Sequence, residues 1–208
     1  KATSLRYNIY LDVIDAGYNQ LVQIAYSKNS SFFSKNFDAL VISIDYRSLP
    51  LSLSPGDKEM SQKNVNDCFN YIRNIILEFR KKTNSHIILQ NIVAPTELIF
   101  GSYESQLVGT TRWLIKNLNL EILKLSSETI QVWDLETLAS TVGLGNWNDS
   151  IIWNNAKQPF STKFIPLYVD HLCRIFSAIR GKNRRCLIMD LDNTLWGGII
   201  GDDGVERI

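Results

Sequence analysis

Two aspartates, Asp190 and Asp192, stand two positions apart where the apolar run Leu187-Ile188-Met189 gives way to Leu191-Asp192-Asn193-Thr194 and a glycine-rich tail. The run reads as a buried strand. Buried strands do not normally end on a carboxylate pair, because two such charges repel and are costly to desolvate unless a cation or proton settles them. Mg²⁺ is the natural cation for two hard oxygen ligands. Side chains alternate along a strand, so Asp190 and Asp192 begin on the same side. One carboxylate can then attack phosphorus and form an aspartyl-phosphate. The other can protonate the leaving oxygen and later activate water. This chemistry takes a phosphorylated small molecule, and Mg²⁺ bridging substrate and carboxylate offsets the repulsion between their anionic oxygens. Thr194 is placed to hydrogen-bond back and hold the loop. Gly197, Gly198, Gly201 and Gly204 suit a mobile hairpin beside the site, with Asp203-Gly204 as its turn pair.

A strand that presents carboxylates needs a sheet around it, and the upstream chain alternates strand and helix. Tyr7 to Val13 reads as a strand, Asn19 to Tyr26 as a short helix, and Asp38 to Asp45 as a strong buried strand. Lys58 to Lys82 carries Val65, Cys68, Phe69, Ile72, Ile75, Ile76 and Phe79 at helical spacing. His86 to Val93 is a strand stopped by Pro95. Glu104 to Leu125 is a second long helix, Thr129 to Val132 a strand, and Leu135 to Val142 a helix. Gly143 to Ser161 is a loop, Lys163 to Ile179 a third long helix, and Cys186 begins the last strand. This pattern predicts an α/β fold, a doubly wound and mostly parallel sheet with helices on both faces. Ligands of such sheets bind beyond the carboxyl ends of the strands. Asp45, Asn91 and Asp134 all fall at predicted strand ends. They read either as one shared rim or as ordinary caps of the helices and turns that follow.

Gly181 to Arg184 reads as a domain boundary. It separates an upstream platform, residues 1–180, from residues 181–208, the start of a second α/β domain. The chain begins Lys1-Ala2-Thr3, without an initiator Met, and the 14 residues after Thr194 are too few to supply neighbours for a catalytic strand. The expectation is a piece of a longer protein.

Composition is that of an ordinary globular protein, 45% hydrophobic and 21% charged, with a net charge of +1. That balance predicts neither a nucleic-acid partner nor a membrane surface. No run approaches the roughly 18 apolar residues of a membrane span, and no signal peptide is visible. Cys68, Cys173 and Cys186 are odd in number and far apart, which fits reduced thiols in a cytoplasm.

From Leu187 to Leu195 the chain resembles the first motif of the haloacid-dehalogenase superfamily of phosphotransferases, a hydrophobic strand followed by Asp-x-Asp-x-Thr-Leu. The longer string from Cys186 to Gly204 is similar to one branch, the FkbH-like proteins. So are Gly17-Tyr18-Asn19-Gln20, the strand to Asp45-Tyr46-Arg47, and Ala156-Lys157-Gln158-Pro159-Phe160-Ser161. The resemblance implies that Asp190 is the nucleophile and metal ligand, and Asp192 the acid/base and second metal ligand. It implies a glyceryl transferase/phosphatase that uses Mg²⁺, processes 1,3-bisphosphoglycerate and loads an acyl carrier protein. It also implies an upstream domain like the SGNH hydrolases, a flavodoxin-like three-layer fold. The superfamily's later Ser/Thr, Lys and Asp-pair motifs do not follow here, so residues 1–208 alone are expected to be inactive. A non-catalytic docking domain for a carrier protein is the alternative. An SGNH-type esterase is disfavoured, since no Gly-Asp-Ser or Asp-x-x-His string is present.

Other features divide between plain packing and function. Cys186 lies four residues before Asp190, about 13 Å along a strand, and reads as a core residue rather than a thioester carrier. Trp147 and Trp153 either pack within their loop or cover the sheet rim. Arg180, Lys182, Arg184 and Arg185 either meet an acidic carrier or form a solvated link near a helix C-terminus.

Overall fold

Capping chemistry decides where several of the helices begin. In the computed structural model, which describes residues 1–27, 31–34, 36–182, 186 and 188–204, four aspartates or threonines stop the preceding chain and start a helix. The chain opens with α1 (Ala2–Leu5) and α2 (Leu21–Tyr26), and then β1 (Ala39–Ile42). Asp57 accepts from the Met60 N–H at 2.9 Å and begins α3 (Lys58–Arg80). After β2 (His86–Gln90), Thr110 accepts from the Trp113 N–H and begins α4 (Thr111–Leu123). After β3 (Ile130–Trp133), Asp134 begins α5 (Leu135–Val142). Then come α6 (Leu144–Trp147), α7 (Ser150–Ala156) capped by Asp149, α8 (Ile165–Ile179) and α9 (Ile200–Asp203). Each such cap satisfies an N–H that the first helical turn leaves open.

Two compact units result. The larger is Val13–Ile165. Its sheet is wholly parallel in the order β1-β2-β3, with Ala39 opposite His86, Ile42 opposite Leu89, and Gln90 opposite Trp133. The central strand is apolar on both sides. Ile87 and Leu89 share one core with Ile72 and Ile75 of α3 and Leu114 and Leu118 of α4. Both crossovers run in the same sense, and a right-handed connection then lays both helices on one face. Ile88 and Gln90 point to the other face and are buried as well, so the sheet is covered on both sides. This is the expected α/β architecture of a parallel sheet flanked by helices. The smaller unit joins Lys1–Asp12 to the described residues from Pro166 onward, which include most of α8 and the Asp190 segment.

Several local expectations change. Tyr7 to Val13 forms no strand, and Tyr10 is 75% exposed. β-prone residues without a neighbouring edge have nothing to pair with. The helix expected from Glu104 begins only at Thr111, because Gly109 takes φ +82° and Thr110 caps the turn after it. A Cβ at Gly109 would stand 2.1 Å from the Ser54 carbonyl oxygen, so the close approach of these two loops requires glycine. The loop from Gly143 to Ser161 folds into α6 and α7, with Trp147 buried and stacked on Phe160 at 4.6 Å between ring centroids. Asp203-Gly204 closes the short helix α9 rather than a hairpin. Gly204 takes φ +75°, the usual conformation after a helix C-terminus. Leu187 lies outside the described residues. Ile188 and Met189 form no strand and Ile188 is 91% exposed, because a strand is a pairing and no described segment offers them an edge.

Candidate functional site

The segment from Asp190 to Gly198 forms a closed turn. Asn193 sits at φ +53°, a left-handed conformation that asparagine tolerates better than most residues. From there its N–H donates to the Gly198 carbonyl at 3.2 Å, and its Oδ1 accepts from the Gly198 N–H at 3.0 Å. The Leu195 N–H donates to the Leu191 carbonyl at 3.0 Å, and the Thr194 N–H to the same oxygen at 3.3 Å. The turn is therefore held by the backbone and by the Asn193 side chain. Thr194, expected to hydrogen-bond back and hold the loop, takes part in the closure through its backbone N–H. Asp190 Oδ1 accepts from the Leu191 N–H at 2.9 Å. Asp192 Oδ1 accepts from the Trp196 indole N–H at 3.1 Å, which orients that carboxylate. Asp190 is exposed and Asp192 half-buried. Asn193 did not stand out in the sequence. The signal for Asn193 was its place just after the aspartates, in a turn that demands a positive φ.

The donor set of this turn suits a hard cation. Mg²⁺ is commonly held by one or two carboxylates, the remaining positions being water or substrate phosphate, and Asp190 and Asp192 are two carboxylates on one exposed turn. Among the described residues no group of three or more His, Cys, Asp or Glu side chains is placed to hold a metal by itself.

The rim of the sheet gathers two of its three candidates. Asn91 Nδ2 donates to Asp134 Oδ1 at 2.7 Å, and Asn91 Oδ1 accepts from the Glu136 N–H at 2.9 Å. Asp134 also accepts from the Thr137 N–H at 3.0 Å and the Thr137 hydroxyl at 2.6 Å. Burial alone would push the Asp134 carboxyl up, but the bonds from Thr137 and Asn91 outweigh it and hold the group below its usual value. Asn119, on α4, extends the network: it donates to the Ile92 carbonyl at 2.8 Å and to Glu136 at 2.9 Å. Every bond here serves a helix start or a strand end.

Asp45 is not part of that network. It caps the next turn through the Arg47 N–H at 3.0 Å and pairs with the Arg47 guanidinium at 3.1 Å. That guanidinium lies over the Tyr46 ring at 4.4 Å and over the Trp153 ring at 4.2 Å, which ties α7 to the end of β1. Burial, the largest influence on Tyr46, raises its phenol above the usual value.

The cysteines separate by position. Cys68 and Cys173 are buried as expected, and burial pushes the Cys68 thiol up to about 11. Cys186 is exposed rather than part of a core. His86 opens β2 at the end of the strand opposite to Asn91, away from the edge where a hydrolase would need it. Arg184 and Arg185 lie outside the described residues. No helix among the described residues is long and apolar enough to cross a membrane.

The fold defines a class, the α/β domains built on a parallel sheet with helices packed against it. The family described as "FkbH, N-terminal domain" matches residues 1–177, and the chain belongs to it. Among solved structures, the chain is similar to the N-terminal part of the protein BF1531 from Bacteroides fragilis, described as containing a phosphatase domain complexed with Mg. The two share 25% identity with a TM-score of 0.80. The match covers 97% of this chain and 53% of that one, so the chain spans about half the length of that structure. No curated protein matches the chain.

Proposed function

We propose that this chain is part of an Mg²⁺-dependent phosphatase/glyceryl transferase of FkbH type, in which Asp190 is the nucleophile and Asp192 the general acid/base. The single observation that carries the reading is the Asp190–Gly198 turn, which is closed by Asn193 and carries two carboxylates, one of them oriented by Trp196. Family membership and the resemblance of the turn to the haloacid-dehalogenase first motif support it. So does the neighbour's Mg-bound phosphatase domain. In the proposed reaction an Asp190 oxygen attacks phosphorus as the bond from phosphorus to the leaving oxygen breaks. Asp192 gives that oxygen its proton. The same carboxylate then takes a proton from water as the water hydrolyses the aspartyl-phosphate and releases phosphate. Asp190 and Asp192 would hold Mg²⁺, which supplies neutralisation of the phosphoryl oxygens' charge. The substrate is an activated phosphoglycerate whose phosphate ester is cleaved this way; its glyceryl group passes to an acyl carrier protein when the carrier's thiol sulfur attacks the acyl carbonyl and the acyl-phosphate oxygen leaves with its phosphate.

The test uses the whole protein that carries this chain. Labelled phosphate from substrate should be trapped on the wild type, accumulate on Asp192→Asn and be absent from Asp190→Asn. Turnover by Asp190→Asn at the wild-type rate would remove the reading.

A second reading makes the Val13–Ile165 unit, which we take to be SGNH-like, a docking platform for the carrier. It draws on the exposed apolar run after β2, where Ile99 is 68% exposed and Leu98, Phe100 and Tyr103 flank it. Carrier binding that is unchanged by Ile99→Asp would dismiss it.

A further inference from the structure

Arg47 meets Asp45 end-on. A single nitrogen, Nη1, donates to Oδ1 at 3.1 Å and to Oδ2 at 3.2 Å. A guanidinium that grips a carboxylate fork to fork uses two nitrogens. Arg47 uses one, and among the described residues no acceptor meets its Nε or Nη2. The flat of the group is engaged instead, by the Tyr46 ring at 4.4 Å and the Trp153 ring at 4.2 Å. The guanidinium is thus fixed in place with its fork unused, and the side chain keeps 26% exposure, so a ligand can reach it.

A second cation stands at the same indole. Lys157 ends α7 at φ +55°, with its N–H on the Trp153 carbonyl at 2.9 Å. Its ammonium lies 5.5 Å from the Trp153 ring centroid and has no hydrogen-bond or ion-pair partner among the described residues. Two cations at one ring repel each other, and Asp45 answers only Arg47. Glu97 adds to the rise that burial chiefly gives the Tyr46 phenol, but it forms an ion pair with neither cation.

Anchoring α7 does not account for this arrangement. That tie uses the flat of the guanidinium, and the fork takes no part in it. The position also favours a ligand. Asp45 to Arg47 follow β1 at the carboxyl end of a parallel sheet, where such sheets bind their ligands. We propose that Arg47 and Lys157 form an oxyanion-binding site, which takes a phosphate- or carboxylate-bearing ligand on the Arg47 fork with the Lys157 ammonium as a second charge. Arginine suits this task because its planar fork matches both anions, and stacking on aromatic rings fixes the fork beforehand. All of these residues lie in the Val13–Ile165 unit, so the inference stands apart from the phosphotransfer reading.

Fluorine NMR tests it on the intact protein, labelled with fluorotryptophan and held in Mg²⁺-free buffer. The Trp153 resonance is the one missing from Trp153→Phe. It should shift saturably with inorganic phosphate or with acetate, and not with chloride at the same ionic strength. Arg47→Lys keeps the charge but loses the fork, and should weaken binding about tenfold. Lys157→Met, at an exposed helix end, should weaken it about threefold. The resonance of buried Trp147 should stay in place in both variants and reports an intact fold. Where Arg47→Lys disturbs it, Lys157→Met decides alone. Tighter binding of phosphate than of acetate identifies a phosphoryl ligand, the reverse identifies a carboxylate ligand, and either supports the site. The site is overturned by the lack of a saturable response, by a response to chloride as large as that to phosphate, or by affinities unchanged in the folded variants.

Discussion

Asn91 and Asp134 meet through a 2.7 Å hydrogen bond although 43 positions separate them in the chain. The contact joins the end of the central strand to the first turn of α5. Asn91 is only 5% exposed, so its amide has little recourse to water. Asn91→Ala should cost about 1–2 kcal/mol in denaturant unfolding, because it removes the donor to Asp134 and the acceptor of the Glu136 N–H. Asn91→Asp should cost more at pH 7 than at pH 4. Two carboxylates at this distance do not both ionise cheaply, and acid supplies the proton that relieves them. A penalty that is the same at both pH values would show that the two side chains do not interact.

Acid should act through Asp134 itself. Its folded-state pKa lies below the ordinary 3.8, so the unfolded chain binds its proton first as pH falls. The stabilisation is complete above that value and is lost as pH drops through the folded-state pKa. Asp134→Asn keeps a good cap, since asparagine also caps helices well, but it removes the titration. The variant should therefore lose less stability than the wild type between pH 5 and pH 2, read from urea midpoints.

Gly109 and Gly145 offer a matched contrast. Gly109→Ala forces a Cβ to within 2.1 Å of the Ser54 carbonyl oxygen at φ +82°, and should destabilise by about 1–3 kcal/mol or more. Gly145 lies inside α6 with nothing within 4 Å of an added Cβ, and Gly145→Ala should be neutral or stabilising by about 0.5–1 kcal/mol. Thermal melts of the two variants would check both signs.

The Asp190 turn should depend on Asn193 more than on the Thr194 hydroxyl. Asn193→Ala removes the side-chain bond to Gly198 and strains a residue at φ +53°. Asn193→Gly relieves the strain but still lacks the bond. In the whole protein, kcat/KM should fall in the order wild type, Asn193→Gly, Asn193→Ala, with about 1.4 kcal/mol of lost positioning appearing as each factor of ten. Trp196→Phe, which removes the indole N–H from Asp192, should lower kcat, and an unaltered kcat would deny Trp196 that role.

The sequence alone located the strands at Ala39–Ile42, His86–Gln90 and Ile130–Trp133 and the long helix Lys58–Arg80 to within a few residues. Their signals are local: apolar runs, helical spacing and a capping aspartate act within a few positions along the chain. The same local logic singled out Asp190 and Asp192. It went wrong where a signal needed a partner, as at Tyr7 to Val13 and at Ile188 and Met189. β-propensity and apolarity make a strand only against an edge, and an edge is supplied by residues far away in the chain. The tertiary structure alone decided that Asn91 reaches Asp134 and that Asp45 turns instead to Arg47 beneath Trp153. It alone brought Tyr7 to Asp170 and Lys182 to Asn8. Each of those contacts is fixed by how the packed elements place their ends, and that placement is a property of the whole core rather than of any stretch of sequence.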